Sequence, residues 1–277
     1  MRQFFIFLFS FLLSIPFGFS QNVTNIFYSG DLNSFGAAGL TYEYNRWQVT
    51  LQASSDDSDS FFLFRDSNSN FNNKWSRGDF VSFGSLDTAF WQGGDTRISV
   101  TNSLYYTFTL SNVNYNANGQ LIVQETTGAP VGFDSSSAIV QTPTNNITDG
   151  NTVTVIGTLD TAPNAELRIF IRYSTDGFTT SNVVEMTNSI PSLPAEVDGT
   201  IPGSANTVGA TIDYYLFTTT ADASTITDVS EYDLISIDIE NNNGSNYSYT
   251  VVNNQTTSAS GNWNDPASWT SGSVPNT

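Results

Sequence analysis

Apolar and polar side chains alternate along much of this chain. Across residues 47–53, Trp47, Val49, Leu51 and Ala53 fall on every second position. Leu104, Tyr106, Phe108 and Leu110 repeat the period, with Tyr105, Thr107 and Thr109 on the opposite face. Period two with aromatic and β-branched enrichment predicts half-buried strands. Asn118-Gly119, Asp176-Gly177 and Asp198-Gly199 supply the turns between them. No helical periodicity extends past a turn or two. Short strands with one apolar face each pack as a sandwich, so the expected fold is all-β.

The second half repeats the pattern more cleanly. Val153 and Val155 alternate with threonines, and Leu167, Ile169, Ile171 and Tyr173 make one face, which leaves Arg168 and Arg172 for a solvated one. Ile212, Tyr214 and Leu216 continue it, and strands over 234–239 and 247–252 are expected to close the sandwich. Between the halves, residues 128–137 hold Gly128, Pro130, Gly132 and three successive serines, a linker-like composition. The expected organisation is therefore one sandwich over 21–127, a linker over 128–137 and a second sandwich over 138–252. Residues 253–277 turn polar and read as a linker, a disordered tail and the start of a further module.

One apolar run does not alternate. Met1-Arg2-Gln3 is followed by residues 4–15, apolar except for Ser10 and Ser14, then by Pro16 and Gly18-Phe19-Ser20. A charged start, an apolar core and small residues at −3 and −1 form a secretory signal peptide over 1–20, with cleavage after Ser20. The run is shorter than the roughly 20 residues of a spanning helix, and no later segment approaches that length. The mature chain is thus expected to have no transmembrane segment and to be secreted or held at the cell surface. There is no Cys, so neither a disulfide framework nor a lipoprotein anchor can form, and the composition leans towards a bacterial exported protein.

Charge and missing residues restrict the chemistry. Eight Lys and Arg face 26 Asp and Glu, a net charge of −18, which repels phosphate backbones and argues against nucleic acid as a partner. No His is present, which removes the common general base and the Ser-His-Asp and Cys-His systems. The sole lysine, Lys74, lacks a Ser-x-x-Lys spacing. Only carboxylate chemistry of the glycosidase kind survives, and it has no spacing signature. The chain is accordingly expected not to be an enzyme.

The run "LRIFIRYSTDGFTTSNVVEM", with "DGTIPG", "IDYYLFTTT" and "LISIDIENNNGSNYSYTV", resembles the fibronectin-III/Ig-like module of large secreted Bacteroidetes proteins. The first region, with "FYSGDLNSFG", "WQVTLQAS" and "FFLFRDSNSNFNNKWSRGD", is similar to the module preceding it there. It also resembles, more loosely, the sandwich domains of starch-active enzymes and glycan-binding proteins, with Phe35 where those usually carry Trp. The segment 261–275, with Trp263 and Trp269, is similar to a motif opening the repetitive part of such surface proteins. The resemblance implies type IX secretion and a sorting domain further along a longer protein. It implies non-catalytic modules for spacing, adhesion or glycan binding, or else accessory domains of a polysaccharide-degrading hydrolase or lyase with its catalytic module beyond Thr277.

Two site candidates follow. Sugar rings stack on aromatic faces while their hydroxyls take hydrogen bonds, so Trp75 and Trp91, in Asn- and Gly-rich contexts that read as loops, are candidates to bind a polysaccharide or surface glycan. Lys74 and Arg77 flank Trp75. The competing reading folds both tryptophans back onto the sandwich. For calcium, Asp56, Asp57 and Asp59 cluster between strands, and Asp66, Asn68 and Asn70 have the i, i+2, i+4 oxygen spacing of a calcium loop. An EF-hand would need Gly and Glu where Phe71 and Arg77 stand, leaving only a looser calcium site. No other cofactor is expected.

Overall fold

The computed structural model describes residues 23–190 and 195–253. The signal over 1–20 and the tail from 254 on, including Trp263 and Trp269, lie outside the described residues. The fold is all-β, and among the described residues the named strands pair antiparallel, with isolated parallel bridges at Phe80–Arg97 and Thr148–Val252.

The first half carries β1 (Phe27–Gly30), β2 (Ala38–Gly39), β3 (Thr41–Glu43), β4 (Arg46–Gln52) and β5 (Asp57–Arg65). It continues with β6 (Lys74–Ser76), β7 (Asp87–Trp91), β8 (Thr96–Val100), β9 (Tyr105–Ser111) and β10 (Gly119–Thr126). They form one sheet in the order β2-β1-β5-β6-β7-β10-β9-β4-β3, with β8 beside β5. That sheet curls until its two ends face each other. Tyr28 of β1 and Phe62 of β5 meet Phe108 of β9 at ring-centroid distances of 4.6 and 4.9 Å. Trp47, Leu110, Leu121 and Val123 complete this core.

The second half carries β11 (Val140–Thr142), β12 (Val153–Leu159), β13 (Arg168–Ser174), β14 (Asn182–Glu185), β15 (Thr187–Ile190), β16 (Ala195–Ile201) and β17 (Thr211–Thr219). A short helix, α1 (Glu231–Ile235), precedes β18 (Asp238–Glu240) and β19 (Tyr247–Thr250). The sheet β11-β12-β16-β15 packs on β14-β13-β17-β18, and β19 joins the start of β17. Val153, Val155, Val197 and Ile201 from one sheet and Ile169, Ile171, Tyr214 and Leu216 from the other share a core. This is the two-sheet sandwich that the alternation predicts.

Three expectations need correcting. Residues 128–137 do not swing free: Val131 and Phe133 are buried in the second core, and Asp134 N–H donates to the Thr158 carbonyl. Leu234 and Ile235 belong to α1 rather than to a strand. Arg172 is buried, whereas Arg168 stays partly exposed and pairs with the exposed carboxylates of Glu185 and Asp222. The reason is that the outer face of β13 and β17 is covered. Phe170, Tyr215 and Phe217 point outward into a third core with Tyr232, Leu234, Ile235 and, from the first sandwich, Ile122.

The two sandwiches are therefore joined along a seam. Its outer strands, β4 and β10, turn alternate residues away from their own core. Gln124 Nε2 donates to the Ile235 carbonyl at 2.9 Å, Gln48 Nε2 to that of Ser236 at 3.0 Å, and Arg46 Nη2 to that of Ile237 at 3.3 Å. Gln124 is fully buried, and its Oε1 accepts from Thr220 N–H at 2.7 Å and lies 2.8 Å from Thr219 Oγ1. Buried polar groups of this kind stabilise only while their partners are present. Gln124→Ala should cost about 2–4 kcal/mol, because it strands Thr220 N–H and leaves a cavity. Urea denaturation followed by circular dichroism measures this.

Candidate functional site

The tryptophan candidates lie on strands, not loops. Trp75 sits in β6 directly across from Trp91 of β7. Its ring is fully buried, and its Nε1–H donates to the Ala117 carbonyl at 3.1 Å. Trp91 is half-buried, with its ring centroid 4.9 Å from that of Trp75 and 6.0 Å from that of Tyr115. These three rings clip the 114–118 loop onto the sheet. With no face open to solvent, Trp75 cannot stack on a sugar; it folds back into the core, the competing reading of its sequence context. Lys74 lies 3.9 Å from Asp95, and Arg77 pairs with Asp87, so both cations are engaged beside this cluster.

The calcium candidates are also engaged. Asp56 Oδ1 accepts from Asn102 N–H, Asp57 Oδ1 caps Asp59 N–H, and Asp59 pairs with Arg97 at 3.3 Å. Asp66 Oδ2 accepts from Asn73 at 2.7 Å and from Tyr115 OH at 3.0 Å, while Asn70 Oδ1 caps Asn72 N–H and Asn68 is exposed. Among the described residues, no three His, Cys, Asp or Glu side chains converge to hold a metal ion. No helix among them is long and apolar enough to cross a membrane, which leaves membrane-spanning strands unaddressed.

A different site opens where the seam ends. The β3–β4 hairpin turns through Tyr44 and Asn45, both at positive φ (49° and 60°), as two-residue hairpin turns require. Its tip reaches the second sandwich, where Tyr44 OH donates to Asn241 Oδ1 at 3.3 Å. Between this hairpin, the 111–114 loop and residues 230–234 lies a cleft of about 700 Å³. Tyr42, Tyr44, Arg46, Trp47 and Asp233 are among the residues around it, with Tyr42 and Trp47 on one face of the hairpin and Arg46 on the other. Asp233 Oδ1 accepts from Tyr215 OH at 2.8 Å. Trp47 is buried in the first core, and Tyr42 and Tyr44 alternate with polar residues in the stretch that makes this hairpin.

The seam's charges are set by burial. Arg46 has its pKa lowered by burial, against attraction from Asp233, Asp238 and Glu43. Burial likewise pushes the Asp238 carboxyl above its ordinary range, against hydrogen bonds from Phe133 N–H and Ile239 N–H and the attraction of Arg46.

With this geometry in hand, comparison with protein-family models, with curated proteins and with solved structures gives no match to the chain.

Two outcomes follow. Trp75→Ala should destabilise the protein by about 3–5 kcal/mol, as for other fully buried tryptophans, measured by urea denaturation. Asp238 binds its proton more tightly in the folded state, so its contribution to stability is greatest at low pH and is lost as pH rises through its raised pKa, from about pH 4 upward. Asp238→Asn should therefore raise the melting temperature at neutral pH and flatten that part of the pH–stability profile.

Proposed function

We propose that this chain is the non-catalytic N-terminal part of an exported bacterial surface protein, in which the two sandwiches act as one stiff spacer. The observation that carries the reading is the seam. Side chains from the first sandwich cap three successive carbonyls of the second, Ile235, Ser236 and Ile237. Domains joined only by a linker move relative to one another unless their interface is substantial. Here an apolar cluster contributed by both halves lies beside the hydrogen bonds, which suits a part that holds other modules at a fixed distance. The lack of His and Cys and the apolar N-terminal run with its small-residue cleavage pattern support a non-catalytic, exported protein.

Recovery from intact cells and culture medium, N-terminal sequencing and small-angle scattering test this. The expected result is a surface or medium protein that begins at Gln21, whose scattering profile fits one rigid body. Gln48→Ala combined with Gln124→Ala should broaden that profile. Retention in the cytoplasm with Met1 in place would overturn export, and scattering that requires independently moving sandwiches would overturn the spacer.

A further inference from the structure

We infer that a groove along the outward face of β4, on the open side of the seam, binds a neutral oligosaccharide. Gln48, Thr50 and Gln52 occupy every second position of β4, so their side chains share one face. That face is the outward one, because Gln48 reaches across the seam to the Ser236 carbonyl. Tyr105 of β9 lies directly opposite Gln52 and joins it there.

The second sandwich covers only the first part of this row. Arg46 and Gln48 meet the Ile237 and Ser236 carbonyls, whereas Thr50 and Gln52 are exposed and Tyr105 is half-buried. Two recesses of about 350 and 430 Å³ run along the uncovered part and share Gln48 and Thr50. Volumes of that order suit small-ligand sites. The far wall of the larger recess includes Pro130, Ile237 and Asp238.

Floor and wall are both fixed before a ligand arrives. Asp160 N–H donates to the Gly132 carbonyl at 3.0 Å, Phe133 N–H donates to Asp238 Oδ2 at 2.8 Å, and Val131 is buried. On the floor, Gln52 Nε2 donates to the Ser103 carbonyl at 3.0 Å, and Gln48 Nε2 also donates to Thr109 Oγ1 at 3.0 Å. The Thr50 and Thr107 hydroxyl oxygens lie 2.9 Å apart. With their nitrogens tied down, each of the two amides keeps an oxygen that no protein group among the described residues occupies. Side chains ordered in advance lose little conformational entropy on binding.

The chemistry of the groove selects the ligand. Gln48, Thr50, Gln52 and Tyr105 are uncharged and offer hydrogen bonds of both senses. Glu43 lines the smaller recess and Asp238 the larger. The one basic residue there, Arg46, is only 4% exposed, so an anion would meet carboxylates and no accessible counter-charge. A wholly apolar ligand would strip water from the floor without replacing its hydrogen bonds. A neutral sugar supplies both needs. Its hydroxyls donate to the amide oxygens, and its C–H faces lie against Pro130, Ile237 and the Tyr105 ring.

Calorimetry on the purified protein at about pH 6, where both charged probes are ionised, tests the site. The neutral probes are cellohexaose, maltohexaose, xylohexaose and mannohexaose; hexagalacturonate and hexaglucosamine are the anionic and cationic ones. At least one neutral hexamer should bind, and Gln52→Ala should weaken that binding about fivefold or more. Gln52 is exposed, so the variant should keep its circular dichroism spectrum. Gln92→Ala removes another exposed amide, bonded to the Asn72 carbonyl outside the groove, and should change binding less than about twofold. Absence of binding to every neutral hexamer, tighter binding of either charged hexamer, or affinity that survives Gln52→Ala would each overturn the inference. None of these results bears on the stiffness of the seam, which scattering reads separately.

Discussion

A backbone that leaves a helix and enters a strand carries carbonyl groups that need donors once they are buried. In this protein the chain leaving α1 meets that demand mainly from outside its own sandwich, although Thr219 Oγ1 of β17 also lies 2.7 Å from the Ile235 carbonyl. The Ile235, Ser236 and Ile237 carbonyls take donors from Gln124, Gln48 and Arg46. The three donors stand on β10 and β4, which flank β9, so the first sandwich must present this one face and no other. The orientation of the two halves, the burial of β13 and β17 on both faces and the position of the cleft all follow from that match.

Apolar contact and hydrogen bonding do different work along the seam. Ile122 alternates with Leu121 and Val123, and it enters the third core while they enter the first. Burial of such side chains supplies most of the favourable free energy but is non-directional. Direction comes from the amides. Gln124 is fully buried and makes its bonds only when Ile235 and Thr220 lie opposite it. A slide of the sandwiches by one residue would leave the amide and its partners dry and unpaired, so the polar contacts select one docking geometry among those the apolar surfaces would permit. Arg172 does comparable work within the second sandwich, caged by the rings of Phe178, Tyr215 and Tyr232 at 4.9, 5.5 and 4.6 Å.

What was legible in the sequence was what has period two and enough length to show it. The strands around 47–53, 104–110, 153–159 and 167–173 announce themselves because one face is apolar over several repeats. β6 has three residues, Lys74–Ser76, too few for a period, and its Asn-rich flank made Trp75 look like a loop residue. Thr107 and Thr109 fell on the face opposite the core, as the alternation says, yet both are fully buried. Alternation tells which residues share a face; it does not tell what a distant part of the chain lays over that face. Arg172 failed for the same reason, since Tyr232 covers it from sixty positions away. The aromatic positions 42, 44 and 47 were visible as letters. Their place around the same cleft as Asp233 depends on the seam and could not be read without it.

The seam is also uneven, and the unevenness is informative. At one end Gln124 is satisfied through both of its polar atoms, with bonds of 2.7–2.9 Å. At the other end Arg46 makes a single 3.3 Å bond and leaves two nitrogens without partners. If Arg46 served only to join the halves, an apolar side chain of similar volume would do so without a desolvated charge, since replacing buried ionic groups by well-packed apolar ones is often neutral or stabilising. The arginine instead stands with its guanidinium 5.5 Å from the centroid of the half-buried Tyr44 ring, and Asp233, Asp238 and Glu43 attract it. Its 3.3 Å bond to the Ile237 carbonyl is what it returns to the join, so the Arg46 end of the seam is held more weakly than the Gln124 end.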